Sequence, residues 1–582
     1  MPSQFFGLNI AYTGLLASNA AMNTTSNNIA NVQTEGYSRQ QVTQQAANPL
    51  RVFQTYGCAG AGVETLAIER VRDEFYDGRF WDNNALLGEY DMKQYYMQQI
   101  ETYFDDDGKS TGFKTIFDQL MVTGMQALLK DPNSATAKSQ FVGYAGALTE
   151  YFNGMAGNLE KVQKDINQEI KLKVDEINSI AGEIATLNKQ INTIELTGVK
   201  ANELRDRRTL LVDELSKIVD VEVKETPIID ANNESRETGA NRYMVKIAGG
   251  RMLVDSSDYN GLKCVARTAY EKVNQTDIDG LYEIYWEDGQ KFNIYNASMG
   301  GDLAGLIQVR DGNNGENFSG QVTSTGTTTT ADGKTHDTVT VKVTKAYLQD
   351  LNKCNLSDQG GIIDLGNQQF YYDSWEYTCE YDANGNATYT YTFTLSDSEK
   401  NPRGVTNDRV GKKAEIGTDL SYQGVPYYMS QMNEWIRTFS QKFNDILTSG
   451  YSGSGEAGVK MFTGNTATGG GQFLLNDESK RYDLKNLATD KSKMSFRGSN
   501  ASEFLQCILS DVALNASRAN TFYASFKDIS NTIDNQRISI SGVDEDEEAV
   551  NLVKYQNGYN LASKMIQTLT EIYDRLILET GV

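Results

Sequence analysis

Isoleucine and leucine recur at spacings of three, four and seven through the middle of this chain, at Ile166, Ile170, Ile177, Ile180, Ile184, Leu187, Ile191 and Ile194. A run of four heptads suits a long helix whose narrow apolar seam faces other helices. Helical periodicity covers about residues 134–197, which at 1.5 Å per residue makes an element about 90 Å long. Lys173 interrupts the seam once, and the faces between carry Lys, Glu, Asp, Asn and Gln, as solvated faces do. "LTGVKANE" ends the run. Leu204, Leu211, Leu215 and Ile218 then resume it, so a short turn sets a second helix antiparallel to the first.

Both ends of the chain carry thinner seams. Residues 7–40 read "GLNIAYTGLLASNAAMNTTSNNIANVQTEGYSRQ", with Leu8, Ala11, Leu15, Ser18, Met22, Thr25, Ile29 and Val32 at helical spacing. The last helix begins after Asp544, an N-cap with Glu547 at N3, and its seam is Leu552, Tyr555, Tyr559, Ala562, Ile566, Leu569, Tyr573 and Leu576. Each seam needs a partner, and each is the simplest partner for the other. Alanine, serine and threonine in the seam bury little area, so the pair hardly offsets the cost of ordering it. The ends are therefore expected to fray in a free monomer and to order when copies pack together.

Between the ends lie a hairpin-like arm at about 41–71, helices near 72–104, 113–130 and 502–540, and two β-rich blocks. "YMVKIAGGRMLVD" and "GLYEIYWEDGQKFNIY" belong to the first block. In the second, Val339, Val341 and Val343, and then Tyr389, Tyr391, Phe393 and Leu395, alternate with polar residues, as in an antiparallel sheet solvated on one side. "YDANGNAT" is its hairpin turn. "GVPYYMSQMNEWIRTFSQKFNDIL" returns to helix, and a Gly/Ser/Asn-rich stretch fills 448–475. The expected fold class is α+β multidomain and nested: terminal coiled-coil helices, and a long helical-bundle domain carrying inserted antiparallel β domains. The expected divisions are 1–35 with 545–582; 36–220 with 300–315 and 422–544; 221–299; and 316–421.

A net charge of -23 repels phosphate backbones, so nucleic acid is not an expected partner. No stretch of about 18 apolar residues occurs, so membrane insertion is not expected either. The first residues lack the basic, then continuously apolar start of a secretory signal. Cys58, Cys264, Cys354, Cys379 and Cys507 are odd in number and widely spaced, which disfavours a disulfide framework or a zinc site. The single histidine, His336, is expected in a loop and cannot build a triad or a multi-histidine metal site. Asp105–Asp107, Asp277, Asp279 and "GVDEDEEA" are acidic clusters without a second catalytic signal. "DANGN" lacks the distal Glu of a calcium loop, and "SGSGEAG" and "TGGGQ" lack the lysine of a phosphate loop. No catalytic residue, metal or cofactor is expected.

The opening segment resembles the N-terminal signature of bacterial flagellar axial proteins, the rod, hook and hook-associated family. Asn27, Asn28, Ile29, Ala30, Asn31, Thr34, Gly36, Tyr37 and Ser38 carry the match, and Gln33 departs from the usual asparagine. "GYSRQ", "ANELRDRRTLLVDELSKIVDVEV", "GGDLAGLIQVRD" and the ending "SISGVDEDEEAVNLVKYQNGYNLASKMIQTLTEIYDRLI" resemble the branch that joins hook to filament. The resemblance implies a structural role, export through the flagellar apparatus without signal cleavage, and a place outside the cell. It implies as partners the hook subunits, copies of the chain in a ring-like segment, the next junction protein (hook-associated protein 3), and an export chaperone at the C-terminal helix. Assembly contacts are expected at Leu8, Leu15, Met22, Ile29, Leu552, Tyr559, Ile566, Leu569 and Leu576. Asn27, Asn28, Asn31, Gly36 and Tyr37 are expected to set the helix exit into the arm. The alternatives are another axial protein such as the hook subunit, or an adhesin or hydrolase carried on the outer β domains.

Overall fold

A computed structural model describes residues 6–580 except 52–57, 105, 107–110, 231–232, 275, 330–332, 358–359, 452–454 and 463–500. Helix α1 (Phe6–Ala30) is followed by strands β1 (Gln40–Ala46), β2 (Leu50–Arg51), β3 (Cys58–Ala59) and β4 (Val63–Arg70). Helices α2 (Glu74–Phe104), α3 (Phe113–Asp118), α4 (Met125–Lys130), α5 (Ala135–Glu195) and α6 (Asn202–Ile218) come next. Strands β5 (Val221–Asp230), β6 (Asn233–Ile247), β7 (Arg251–Asp255), β8 (Asp258–Tyr259), β9 (Leu262–Ala266) and β10 (Tyr282–Trp286) precede helix α7 (Gly301–Asp311). Strands β11 (Phe318–Thr329), β12 (Thr335–Val343), β13 (Gly361–Leu365), β14 (Gln369–Tyr381), β15 (Ala387–Leu395) and β16 (Lys413–Ile416) follow. Helices α8 (Val425–Ser449), α9 (Ala501–Ser541) and α10 (Glu545–Thr580) end the chain. Most of the Gly/Ser/Asn-rich stretch expected at 448–475 lies outside the described residues.

The chain divides into two compact units. The first holds Met1–Leu87, Glu176–Gly261 and Ser525–Val582; the second holds Gly88–Asp175 and Leu262–Ala524. Segment 221–299 is thereby split, with β5–β8 in the first unit and β9–β10 in the second.

In the first unit, Ile177, Ile180, Ile184, Leu187 and Ile191 of α5 are buried, as a seam requires. Helix α6 returns antiparallel to α5. Arg205 bonds Glu195 at 2.6 Å, Arg208 bonds Asn188 at 2.9 Å, and Arg207 pairs with Glu183 at 3.5 Å. The sheet has the order β5-β6-β7-β8 and starts from the pairing Val221↔Ile247. Two polar side chains of α5 hold it. Asn188 donates to the Ser256 carbonyl at 2.8 Å, and Asn192 exchanges two bonds with the Asn241 backbone, both at 2.9 Å. Most polar residues of the long helix are exposed, whereas these two asparagines are docking groups.

The second unit repeats the device. Gln163 accepts from Ile278 N–H at 3.2 Å. Asn167 accepts from Tyr282 N–H at 2.8 Å and donates to the Gly280 carbonyl at 3.2 Å. Arg310 of α7 is fully buried. It bonds Asn167 at 3.0 Å and Asp311 at 2.7 Å, and Asp311 also pairs with Arg267 at 3.0 Å. Burial works against the Asp311 carboxylate, but these two guanidiniums hold its pKa below the usual value. Lys173, the break in the α5 seam, reaches Asp302 at 3.0 Å, while buried Val174 continues the seam. Trp435 and Phe439 of α8 stack on one another, Trp435 also stacks on Phe152, and both meet Phe117 edge to face, which forms an aromatic core.

The second unit refines two expectations and corrects one. The helix expected at 113–130 is present and holds a π segment, Gln119–Gly124, where Gly124 lies so close to Phe141 and Tyr144 that a Cβ would sit 3.0 Å from both rings. The antiparallel sheet of the second β block is closed. Strands β11-β12-β15-β14-β13-β16 close into a barrel, sealed by the Phe318↔Ile416 pairing. Its interior takes Val339, Val341, Val343, Tyr391, Phe393 and Leu395, so the period-two alternation survives closure. His336 lies in β12 rather than a loop, with Nδ1 3.0 Å from the Leu395 carbonyl.

Glu195 gives a test of the first unit. Burial raises its pKa, but the Arg205 hydrogen bond and charge outweigh it and leave the carboxyl below its ordinary value of 4.5. A depressed carboxylate contributes stability above its unfolded pKa and loses it as pH falls through the folded value. Glu195→Gln should cost about 2 kcal/mol at neutral pH, because it removes the shorter of the two carboxylate pairings of Arg205 and leaves it with Glu225. Melting followed from pH 7 to pH 3 should show a weaker acid dependence below about pH 4.5 in the variant.

Candidate functional site

The two ends of the chain pair within the first unit, antiparallel and without slip. A Cβ on Gly7 would lie 3.6 Å from Leu569, a Cβ on Gly558 would lie 3.0 Å from Ser18 Oγ, and Asn28 bonds Glu548 at 3.2 Å. Each step forward along α1 is thus matched by an equal step back along α10. Small residues permit this approach. The seam residues Leu8, Leu15, Met22, Ile29, Leu552, Tyr559, Ile566 and Leu569 are half-buried, and Leu576, near the end of α10, is exposed.

Helix α1 has a second covered face. Ala17, Ala21, Thr24 and Asn28 are buried, and the arm formed by β1 and β4 bonds to this helix. Gln44 donates to the Ala17 carbonyl at 3.2 Å, and Val63 N–H donates to Thr13 at 3.3 Å. The thin seam is thus only part of what buries α1. Sequence periodicity missed this face because alanine, threonine and asparagine give no apolar signal.

The signature residues meet at the C-terminal end of α1. Asn28 is 1% exposed and grips Gln40 from both sides: its amide donates to the Gln40 carbonyl at 2.9 Å, and its oxygen accepts from Gln40 N–H at 3.0 Å. Tyr37 donates to the same oxygen at 2.9 Å, and Asn27 donates to the Tyr37 hydroxyl at 3.3 Å. Asn31 donates back to the Asn27 carbonyl at 3.0 Å and accepts from Thr34 at 3.1 Å, closing the turn. Gly36 has φ +74°, and a side chain there would also press on Leu210. Asn28 thereby supplies what a neighbouring strand would, and fixes where the chain leaves the helix.

Charges complete the node. Arg39 Nε donates to Glu548 at 2.8 Å, its Nη2 donates to Glu547 at 2.9 Å, and Ser38 N–H donates to Asp206 at 3.0 Å. Asp206 also takes Arg70 at 2.9 Å. Burial, and then Glu203, Asp206 and Glu548, push the Tyr37 phenol well above its ordinary pKa, so it stays a neutral donor. Burial opposes the Arg39 charge, but the two glutamates hold its pKa above the ordinary value. Sequence reading missed Arg39, Glu548 and Asp206. The basic "SRQ" facing an acidic "DEDEEA" was the signal available for the first two. Asp544 does cap α10, accepting from Asp546 N–H at 3.0 Å and Glu547 N–H at 3.1 Å.

A second apolar stripe is left uncovered on α10. Val550, Leu561 (69% exposed), Met565 and Ile572 (51%) lie about 100° around the helix from the seam. Tyr12 and Leu16 of α1 are also exposed. The remaining sequence candidates hold no centre. Asp106 accepts from Thr115 N–H and its hydroxyl, Asp277 accepts from Val273 and Asn274 N–H, and Asp382 accepts from Asn384 and Asn386 N–H. Asp279 pairs with Lys272 at 2.7 Å, and Asp105 and Asp107 lie outside the described residues. Among the described residues no group of His, Cys, Asp or Glu could hold a metal, and no helix is long and apolar enough to cross a membrane.

Known proteins match this layout. A family model described as flagella basal body rod protein matches residues 8–37, and one for the C-terminal part of the basal body rod FlgEFG proteins matches 534–578. The helical-domain model of flagellar hook-associated protein FlgK matches 97–330. Flagellar hook-associated protein 1 of Bacillus subtilis is 24% identical, over 100% of this chain and 99% of its own. That of Escherichia coli is 27% identical, over 98% and 99%. The solved flagellar hook junction protein FlgK of Burkholderia pseudomallei aligns with a TM-score of 0.46 at 14% identity, over 80% of this chain and 100% of that one. Paired ends carrying both rod-protein matches are those of a flagellar axial protein. Within that class, the chain is similar along its whole length to flagellar hook-associated protein 1 (FlgK).

Asn28→Ala leaves Gln40 N–H buried without its acceptor. The expected loss is about 3 kcal/mol, given that an orphaned buried group costs about 1–3 kcal/mol on top of the lost bonds. Hydrogen exchange at the Gln40 amide should accelerate in the variant, while amides of the barrel strands keep their native rates.

Proposed function

We infer that the chain is a structural component of the flagellum that assembles on the distal end of the hook and adapts it to the filament. The observation that carries this reading is the second stripe on α10. The seam expected to bind other copies is largely occupied by the chain's own α1, whereas Leu561, Met565 and Ile572 remain available. Copies of the chain pack side by side through that stripe into a ring-like segment. Hook subunits lie beneath the ring and the next junction protein, hook-associated protein 3, lies above it. Before export, a chaperone covers the same helix. The α1–α10 pair is shallow, since Glu548 alone is buried among the described residues of α10, and this supports ordering on assembly.

Two variants separate the surfaces. Ile566→Asp strikes the intrachain seam: it should speed hydrogen exchange in α1 and α10, leave the β blocks folded, and abolish assembly. The double change Leu561→Glu, Met565→Glu should leave exchange in the free chain unchanged and still abolish filament formation. Wild-type swimming with the double variant would remove the stripe from the assembly. Electron microscopy of a strain lacking the gene should show complete hooks without filaments, with flagellin lost to the medium. Normal filaments there would overturn the junction role itself.

A further inference from the structure

The neck of the barrel brings a lysine amine onto a buried asparagine amide. Asn317 lies one residue before β11 and Lys345 two residues after β12, so the pair closes the open end of that hairpin. Lys345 Nζ is 2.7 Å from Asn317 Oδ1, 3.0 Å from the Gly315 carbonyl and 3.2 Å from the Asn317 carbonyl. Asn317 is 5% exposed. The Tyr347 hydroxyl donates to the Asn317 carbonyl from the same side, and its ring centre lies 5.6 Å from the lysine nitrogen.

We propose that Lys345 and Asn317 form an intramolecular isopeptide bond after the barrel folds. The amine donates to two main-chain carbonyls and to Asn317 Oδ1, and that last contact holds Nζ beside Cγ, the atom it would attack once it has lost its proton. Burial lowers the Lys345 pKa, against the opposing charge of Asp419, which favours that neutral form. The carboxylates of Asp419, Glu415 and Glu316 sense the amine charge and can relay its proton.

The step balances without an outside reagent. A bond forms between Nζ and Cγ of Asn317, and the Cγ–Nδ2 bond breaks. The proton lost from Nζ goes to Nδ2, which leaves as ammonia. One amide replaces another, so no oxidant or reductant enters. The folded chain holds the two groups together, which supplies the proximity that free lysine and asparagine lack.

Intact-mass spectrometry of the folded full-length chain, incubated at pH 8, tests this. The expected result is a mass about 17 Da below that of the sequence, together with a branched proteolytic peptide joining the segments around Asn317 and Lys345. Lys345→Arg should restore the full mass while circular dichroism shows the same fold. Asn317→Ser should do likewise if Lys345→Arg fails to fold. A full-mass native chain overturns the proposal. So does a 17 Da loss without the branched peptide, which would be succinimide formation at the exposed Asn314–Gly315 step.

Discussion

The antiparallel alignment of the two chain ends is the constraint on which the first unit depends. Their seam is too poor in large residues to fix its own register: alanine facing serine packs nearly as well one turn away. Polar groups do the fixing. Asn28 bonds Gln40 of the arm and Glu548 of α10, and Arg39 bonds Glu548 from the other side. A slip of either helix would strand several buried donors and acceptors at once, at a cost well above the few tenths of a kcal/mol that the seam could lose. Register is therefore set at one end, and the apolar stripe carries it along the helices.

Much of this fold could be read from the residues. The isoleucine seam of α5, the hairpin arm, the returning helix α6, the Asp544 cap and the alternating strands all follow from period and turn chemistry. Barrel closure could not be read, because alternation is the same in an open sheet and a closed one, and only the pairing of β16 with β11 distinguishes them. The π turn at 119–124 was equally silent: it coincides with the close approach of Gly124 to two rings on the next helix, α5, which no local pattern announces.

The site shows the same division. Its asparagines, glycine and tyrosine stood out through resemblance, and their partners did not. Arg39 and Glu548 are 509 residues apart, and nothing local to either announces the other. The seam residues were found by periodicity, which reports that a face is apolar but not whether it meets the same chain or another. Exposure made that distinction: Leu561, Met565 and Ile572 are exposed, whereas Leu552, Tyr559 and Ile566 are half-buried on the helix that pairs with α1.

The asparagines and glutamine on α5 have a wider consequence. Gln163 and Asn167, and again Asn188 and Asn192, are spaced by four, so each pair projects from one side of the helix. Most of their bonds to the β segments go to main-chain N–H and C=O groups, which every sequence possesses. A strand attached in this way can exchange its side chains without loosening its hold. The long helix thus acts as a socket indifferent to the identity of what is plugged into it, and the β segments are free to diverge while the helix stays the same.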